Sequence, residues 1–216
     1  MILKRVKVNV GAIMGVNSYI VQDENSKETM VIDPGNCSEG LMEILDAMHV
    51  KVKYILLTHC HADHIGGVTK VKEKYGGKIL IHRIDADGLR NPDINLSKHI
   101  GLDPISIEED ARLNGGDLIH VGDLEFKVIH TPGHTAGSIS VYCEQEKMLF
   151  SGDTLFRGSW GRTDLPTSSF EDIINSITNK LMILPADTIV YPGHGKSTII
   201  REEEPIYLEM KQKEWE

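Results

Sequence analysis

Residues 54–67 read YILLTHCHADHIGG, a short apolar run that changes abruptly into three histidines and an aspartate. The run at 54–57 has the length and composition of a buried strand, so the polar loop that follows leaves a sheet at a strand end. In an extended loop, residues two apart point the same way, which lets His59 and His61 approach one cation while Cys60 points elsewhere. The stretch therefore predicts a metal site at the edge of a sheet.

Asp63 and His64 follow directly beyond this pair. If the chain turns into a helix there, their side chains are displaced from the first pair and can serve a second cation beside the first. The alternative interpretation, a solvated polar loop or histidines used as ordinary hydrogen-bonding groups, is improbable for so dense a cluster. The cluster also lacks the ligand pattern of a structural zinc finger, because Cys60 has no partner in a CxxC motif. The spacing favours two metals.

Length, cysteine content and charge limit the class of protein. The 216 residues suit one domain. Three cysteines form a sparse, odd set and the start MILKRVKVNVG lacks the apolar core of a signal peptide, so we expect a cytoplasmic protein. No stretch has membrane-spanning length, and the formal net charge of −9 opposes binding to nucleic acid. We expect neither a membrane nor a nucleic-acid partner, whereas bound dications would still permit an anionic small-molecule substrate.

The order of apolar segments predicts two similar halves, about 1–115 and 116–216, within a single domain. In the first half, strands are predicted at 2–10, 17–22, 29–32, 54–57 and 78–81, and helices at 39–49 and 68–75. In the second half, strands are predicted at 117–121, 124–130, 138–143, 148–151 and 188–191, with a charged helix at the C-terminus. Strands followed by helices, twice, indicate two sheets with helices on their outer faces.

Two segments carry more specific predictions. The hydrophobic periodicity fades from 83 to 114, which we interpret as a helix-containing insert interrupted by prolines. Apolar residues at helical spacing predict a helix over 170–181. Ser168 and Glu171 fit a capping box at the start of this helix.

Three later residues share one arrangement, in which a strand ends in a glycine turn that carries a metal-competent side chain. They are His134 in HTPGHTAGS, Asp153 in LFSGDTLF and His194 in VYPGHGKS. Glycine lets the backbone bend sharply near a crowded centre. Each residue alone could be an ordinary turn residue, but together with the cluster at 58–64 the three predict further metal ligands.

The order of these motifs, THCHADH at 58–64 and then His134, Asp153 and His194, resembles the metallo-β-lactamase superfamily over essentially the full chain. The resemblance implies an α/β fold, a four-layered αββα sandwich with the site at the shared edge of its two sheets. It also implies a ligand set: His59, His61 and His134 for the first metal, Asp63, His64 and His194 for the second, Asp153 as the bridge, and Asp33 as a support behind the ligands.

Within the superfamily, SGDTLFRGSWGRTDLP at 151–166 is similar to the short glyoxalase II-type hydrolases. This similarity implies a binuclear hydrolase of thioesters, of the S-2-hydroxyacyl-thiol kind. Long glyoxalase II enzymes carry a further C-terminal helical region that helps bind glutathione, whereas this chain ends soon after His194. The use of glutathione therefore stays open.

Two other classes compete with the hydrolase. THCHADH and GRTD also resemble mononuclear iron persulfide dioxygenases, in which only the equivalents of His59, His134 and Asp153 bind iron. GDTLF and PGHG favour the hydrolase. A non-enzymatic or nucleic-acid-processing relative is disfavoured by the full ligand set and by the acidic charge.

The implied site supports hydrolysis of a small-molecule thioester or other acyl substrate without a protein nucleophile. Two dications a few ångströms apart lower the pKa of a shared water to about 7, and one of them polarises the substrate carbonyl. Asp63 is the candidate catalytic residue, expected to orient the bridging hydroxide or take its proton. The nitrogen-rich ligand set suits zinc first, and iron or manganese as well. Arg157, Arg162 and Lys196 are candidates to meet a substrate carboxylate.

Overall fold

The computed structural model describes residues 1–10, 13–36 and 39–213. Within these residues, the first six strands form one sheet in chain order. They are β1 (Ile2–Val10), β2 (Ile13–Gln22), β3 (Glu28–Ile32), β4 (Lys51–Leu56), β5 (Lys78–His82) and β6 (Ala111–Leu113). The first three strands pair antiparallel, and β3 to β6 pair parallel.

The second half of the described chain forms the other large sheet, in the order β14-β13-β10-β9-β8-β7. Its members, together with the small hairpin β11–β12, are β7 (Leu118–Val121), β8 (Leu124–His130), β9 (Ile139–Cys143), β10 (Met148–Gly152), β11 (Leu155–Phe156), β12 (Ser159–Trp160), β13 (Ile189–Pro192) and β14 (Thr198–Ile199). Only β10 and β13 pair parallel among the described strands of this sheet.

Five α-helices lie within the described ranges: α1 (Glu39–Ala47), α2 (Ala62–Ile65), α3 (Val68–Tyr75), α4 (Phe170–Ser176) and α5 (Ile200–Lys213). A π-helical turn, Ile177–Leu181, continues α4. Among the described residues, none of the helices combines the length and apolar character that crossing a bilayer requires.

Three separate hydrophobic clusters define the layers. Leu41 of α1 and Val71 of α3 pack in one cluster with Val31 of β3, on the outer face of the first sheet. Met30 and Ile32, on the opposite face of β3, belong to a second cluster that the second sheet completes from its inner face. A third cluster joins α4 and α5 to the outer face of the second sheet. The predicted four-layered αββα sandwich is therefore confirmed, and alternate residues of β3 are buried on both of its faces.

The insert at 83–114 contains helix, as predicted, but only as short 3₁₀ segments. It contains no α-helix; instead Gly88–Arg90 and Ser97–His99 form single 3₁₀ turns and β6 adds an edge strand to the first sheet. Asn95 lies at the centre of the insert, where its buried side-chain amide donates to the carbonyls of Gly88 and Ile105. Side chain to backbone hydrogen bonds of this kind replace a helical ladder.

The cap of α4 is also one residue away from its prediction. Ser169, not Ser168, accepts the backbone N–H of Asp172 with its side chain, at 3.2 Å. The Ser168 hydroxyl is engaged with Leu165, accepting from its N–H and donating to its carbonyl. The Ser168–Glu171 capping box is wrong because the turn before the helix uses the first serine.

Candidate metal centre

The predicted ligands meet at the edge where several strands end. The loop after β4 carries His59 and His61, and α2 directly after it carries Asp63 and His64. The other three residues follow strands of the second sheet: His134 after β8, Asp153 after β10 and His194 after β13. The two sheets are tied here, because the backbone N–H of Asn17 in β2 donates to the carbonyl of Gly193 at 2.7 Å.

Small residues let these loops approach one another. A Cβ on Gly193 would lie 2.2 Å from Asp153 Oδ1 and 2.7 Å from His64 Cε1. A Cβ on Gly152, which has a φ of 51°, would lie 2.5 Å from Thr58 Oγ1. The glycines of the SGD and PGH motifs are therefore required by close approach, and at Gly152 by backbone conformation as well.

One set of ligand atoms consists of imidazole nitrogens only. His59, His61 and His134, here named the triple-histidine group, each offer a nitrogen within 4.8 Å of the others. Their side chains are buried, and His61 Nδ1 lies 2.9 Å from His134 Nε2.

A second set combines one carboxylate with two imidazoles. Asp63, His64 and His194, here named the acidic group, also have ligand atoms within 4.8 Å of one another. Asp63 Oδ2 lies 3.4 Å from His194 Nε2 and 3.8 Å from His64 Nε2. The two imidazole nitrogens are 3.3 Å apart.

Asp153 lies between the two groups. One carboxylate oxygen is 3.4 Å from His64 Nε2, and the other is 3.4 Å from His194 Nε2 and 3.6 Å from His134 Nε2. A side chain in this position can contact cations held by either group.

Unpartnered polar atoms point to a cation. His59 Nε2, His61 Nε2 and Asp153 Oδ1 are buried without a hydrogen-bond partner within the described chain. Buried polar atoms are almost always paired, and imidazole nitrogens and carboxylate oxygens are ligands of zinc, iron and manganese. The donor set therefore fits divalent metals.

Hydrogen bonds behind the ligands fix the imidazole tautomers. His64 Nδ1 donates to Asp33 Oδ2 at 2.9 Å, and His134 Nδ1 donates to the carbonyl of Arg162 at 2.9 Å. With Nδ1 held in this way, Nε2 is the ring nitrogen of each histidine that faces the site. Asp33 is itself held, because it accepts from the N–H and the hydroxyl of Thr58.

The two groups differ in electrostatics. Burial, reinforced by neighbouring imidazoles, lowers the pKa of His59 and lowers that of His61 to about 3, so both rings stay neutral. Burial also acts to lower the pKa of His64, but the carboxylates of Asp153, Asp63 and Asp33 outweigh it and hold that pKa well above its usual value.

Asp85 supports the candidate metal centre, although no sequence motif indicated this role. Its buried carboxylate accepts the backbone N–H of Cys60 at 3.1 Å and the hydroxyl of Thr135 at 2.7 Å through one oxygen. The other oxygen accepts the N–H of Gly137 at 2.7 Å. Asp85 thus joins the loop of His59 and His61 to the loop of His134. Its position in the DADG sequence after β5 was the available signal, but only the tertiary structure reveals its partners.

A cavity of about 600 Å³ opens beside the ligands. Arg162 lines this cavity, and its guanidinium is paired with Asp164 through two hydrogen bonds of 2.7 Å. Arg157 and Lys196 are exposed and are absent from the described cavity lining. Of the three basic residues predicted to meet substrate, the structure thus brings one to the cavity.

The family follows from a comparison of the whole sequence. The sequence profile of the metallo-beta-lactamase superfamily matches residues 12–194. The chain therefore belongs to the metallo-β-lactamase superfamily, as its motifs predicted.

Two relatives with similar sequences carry hydrolase names. The probable metallo-hydrolase YqgX of Bacillus subtilis is 31% identical over 92% of this chain and 93% of its own length. The hydroxyacylglutathione hydrolase GloC of Haemophilus influenzae is 33% identical over 87% of this chain and 89% of its own. Together with the family, these relatives support a metallohydrolase.

Solved structures agree on the fold. The BLEG-1 B3 metallo-β-lactamase matches with a TM-score of 0.87 and 35% identity, over 94% of this chain and 97% of that chain. TTHA1623 in a di-iron-bound form matches with 0.80 and 33%, over 92% and 96%. ETHE1 from Myxococcus xanthus matches with 0.77 and 26%, over 95% and 84%.

Proposed function

We propose that the protein is a binuclear metal-dependent hydrolase of thioesters, of the S-2-hydroxyacyl-thiol kind. The observation that carries this proposal is the convergence of five histidines and Asp63 in two adjoining groups, with Asp153 between them, at one edge of the sandwich. The relative named hydroxyacylglutathione hydrolase supports the same reaction.

In this proposal each group would hold one dication, and Asp153, which lies near both groups, could serve as a ligand for either. Zinc is the leading metal, and the di-iron-bound relative supports iron as well. When bound, dications would lower the pKa of a bound water to about 7 and would polarise a carbonyl oxygen. The fixed tautomers of His64 and His134 keep the ligands in place, so little reorganisation is needed during the reaction.

Asp63 is the proposed catalytic carboxylate. Burial acts to raise its pKa, but His64 and His194 outweigh burial and lower it, so the group is ionised at neutral pH. Because Asp63 lines the cavity, its oxygen can accept a hydrogen bond from the attacking water and orient it or take its proton. The water oxygen bonds to the carbonyl carbon, the C–S bond breaks, and the proton passes to the departing sulfur.

His194→Ala separates this proposal from a mononuclear iron persulfide dioxygenase. As a hydrolase, the variant should fall from two metals per chain towards one and lose most thioester turnover, because His194 belongs to the acidic group. His120→Ala, an exposed change in β7, is the matched control. A wild-type protein that binds one iron and consumes oxygen with glutathione persulfide, and whose His194→Ala variant keeps that activity, would replace the hydrolase with the dioxygenase.

The likeness to the BLEG-1 B3 metallo-β-lactamase favours a second candidate reaction, hydrolysis of a β-lactam amide at the same site. A chromogenic cephalosporin and a 2-hydroxyacyl thioester can be assayed on one metal-loaded preparation. We expect kcat/KM to be higher for the thioester. The opposite order would make the β-lactam the better substrate class.

A further inference from the structure

The cavity beside the metal centre is mainly apolar away from the ligands. Five half-buried or exposed side chains form what we name the apolar slot: Leu96, Ile100, Phe156, Leu165 and Pro166. Two of them come from the insert at 83–114 and three from the segment at 155–166, so two separate parts of the chain supply the apolar surface of the slot.

Leu96 occupies an unusual backbone conformation. Its φ of 67° and ψ of 6° lie in the left-handed region, which large side chains rarely adopt. A leucine held in this conformation at a cavity wall is a feature that the surrounding structure must enforce.

The residues on either side of Leu96 hold its backbone in this left-handed conformation. Asn95 and Ser97 are both fully buried. The Asn95 amide oxygen accepts the N–H of Ser97 at 3.0 Å, and the Ser97 hydroxyl accepts the N–H of Ile105 at 3.0 Å. The carbonyl of Asn95 accepts the N–H of Ala62 at 2.7 Å, directly after the ligand loop. The backbone at Leu96 is therefore held at a fixed position relative to the candidate metal centre.

The wall formed by the segment at 155–166 is anchored in the same manner. Ser168 accepts the N–H of Leu165 at 2.9 Å, and the N–H of Ser169 donates to the carbonyl of Gly133 at 2.8 Å, beside His134. Both walls are thus held against ligand loops, which makes the slot preorganised.

Polar partners for a bulky polar substituent are few in the described lining. Arg162 is occupied by Asp164, and His99 is the other polar side chain outside the predicted ligands. Burying a polar group without a partner weakens binding, whereas burying an apolar group strengthens binding in proportion to the area buried. The slot therefore favours an apolar substituent.

We propose that the apolar slot binds the acyl chain, and that the preferred thioesters carry a linear apolar acyl chain longer than lactoyl. This inference rests on the proposed thioester hydrolysis at the same site. The acyl group stays on the carbonyl carbon while the thiol leaves, so contacts with the acyl chain persist from bound substrate to transition state and raise kcat/KM.

The test varies the acyl chain on one thiol. With N-acetylcysteamine thioesters of lactate, 2-hydroxybutanoate and 2-hydroxyhexanoate, kcat/KM of the metal-loaded protein should rise about fourfold per methylene. In a second readout, calorimetry should give the same dependence for binding of the free 2-hydroxy acids.

Two substitutions of Leu96 separate the slot from folding. Leu96→Gly removes the side chain but suits a positive φ, and Leu96→Asn tolerates that φ while presenting a polar group. Both should keep the thermal midpoint of the wild type and lose most of the chain-length dependence. Leu118→Ala, in β7, should leave both readouts unchanged.

The outcomes distinguish the inference from the proposed function. Chain-length-dependent binding that Leu96→Gly abolishes, without thioester turnover, would keep the slot and remove the thioesterase. Turnover that ignores acyl length, or that depends only on the length of the thiol, would overturn the slot and keep the thioesterase.

Discussion

The triple-histidine group and the acidic group balance their charge differently. In the first, the rings of His59 and His61 are neutral, and their Nε2 atoms are unpartnered within the described chain. The second already contains ion pairs, because Asp63 within it and Asp153 beside it lie within 3.8 Å of imidazole nitrogens of His64 and His194.

This difference predicts an order of metal binding. A cation entering the triple-histidine group satisfies the Nε2 atoms of His59 and His61, which have no other partner within the described chain, whereas a cation entering the acidic group must displace existing ion pairs. We therefore expect the triple-histidine group to bind more tightly, and the following substitutions test the two groups separately and together.

Asp153→Ala should have the largest effect because Asp153 contacts both groups. Metal affinity should fall by more than the roughly 100-fold typical of removing a partner behind a ligand, and thioester turnover should fall with it. Metal content by elemental analysis and a turnover assay provide the measurement, with Asp187→Ala as an exposed control. Two metals and normal turnover in Asp153→Ala would remove the bridge from the account.

Asp33→Asn should selectively weaken metal binding at the acidic group. The residue holds His64 through a 2.9 Å hydrogen bond, and its φ of 48° is one that asparagine tolerates, so the fold should persist. We expect a loss of roughly 10–100-fold in the affinity of the weaker site, measured by chelator competition. Unchanged affinity would reduce Asp33 to a turn residue.

Asp85→Asn should instead weaken metal binding at the triple-histidine group, because Asp85 joins the two loops that carry its histidines. An amide can accept at one position only, so at least one of the bonds from Cys60, Thr135 and Gly137 is lost. We expect about a tenfold loss at the tighter site. Asp87→Asn, an exposed neighbour, serves as the control. Equal losses at both sites would contradict the separation of the groups.

Cys60→Ser should have the smallest effect on metal binding. The Cys60 side chain lies in the core on the outer side of the first sheet, and a Cβ on Gly88 would be 2.6 Å from its sulfur. Metal affinity should change less than twofold, within the scatter of substitutions that touch no ligand, while thermal stability reports any repacking. A loss comparable to Asp33→Asn in metal-saturated protein would mean that Cys60 faces the site.

Local patterns in the sequence predicted much of the framework. The strand at 124–130 and the helix at 68–75 have the predicted bounds, because each combines an unambiguous periodicity with a glycine or turn at its end. The candidate ligand residues were recognisable because dense histidine clusters and Gly turns are rare by composition.

Features that depend on distant partners were not predictable. Asp85 gains its role from Thr135 and Gly137, which lie far away in sequence. Leu96 gains its role from a cavity that is lined mostly by distant parts of the chain. The insert that contains them has no periodicity, since buried side chains such as Asn95 hold it through backbone carbonyls.

Metal titration of the wild-type protein tests whether the centre is binuclear. Metal-free protein receives increasing zinc or iron, and bound metal per chain is measured alongside thioester turnover. We expect saturation at two metals per chain, with turnover rising as the second metal binds, because the proposed hydrolysis requires both groups to be filled. Saturation at one metal per chain, or full turnover with one metal bound, would contradict this expectation.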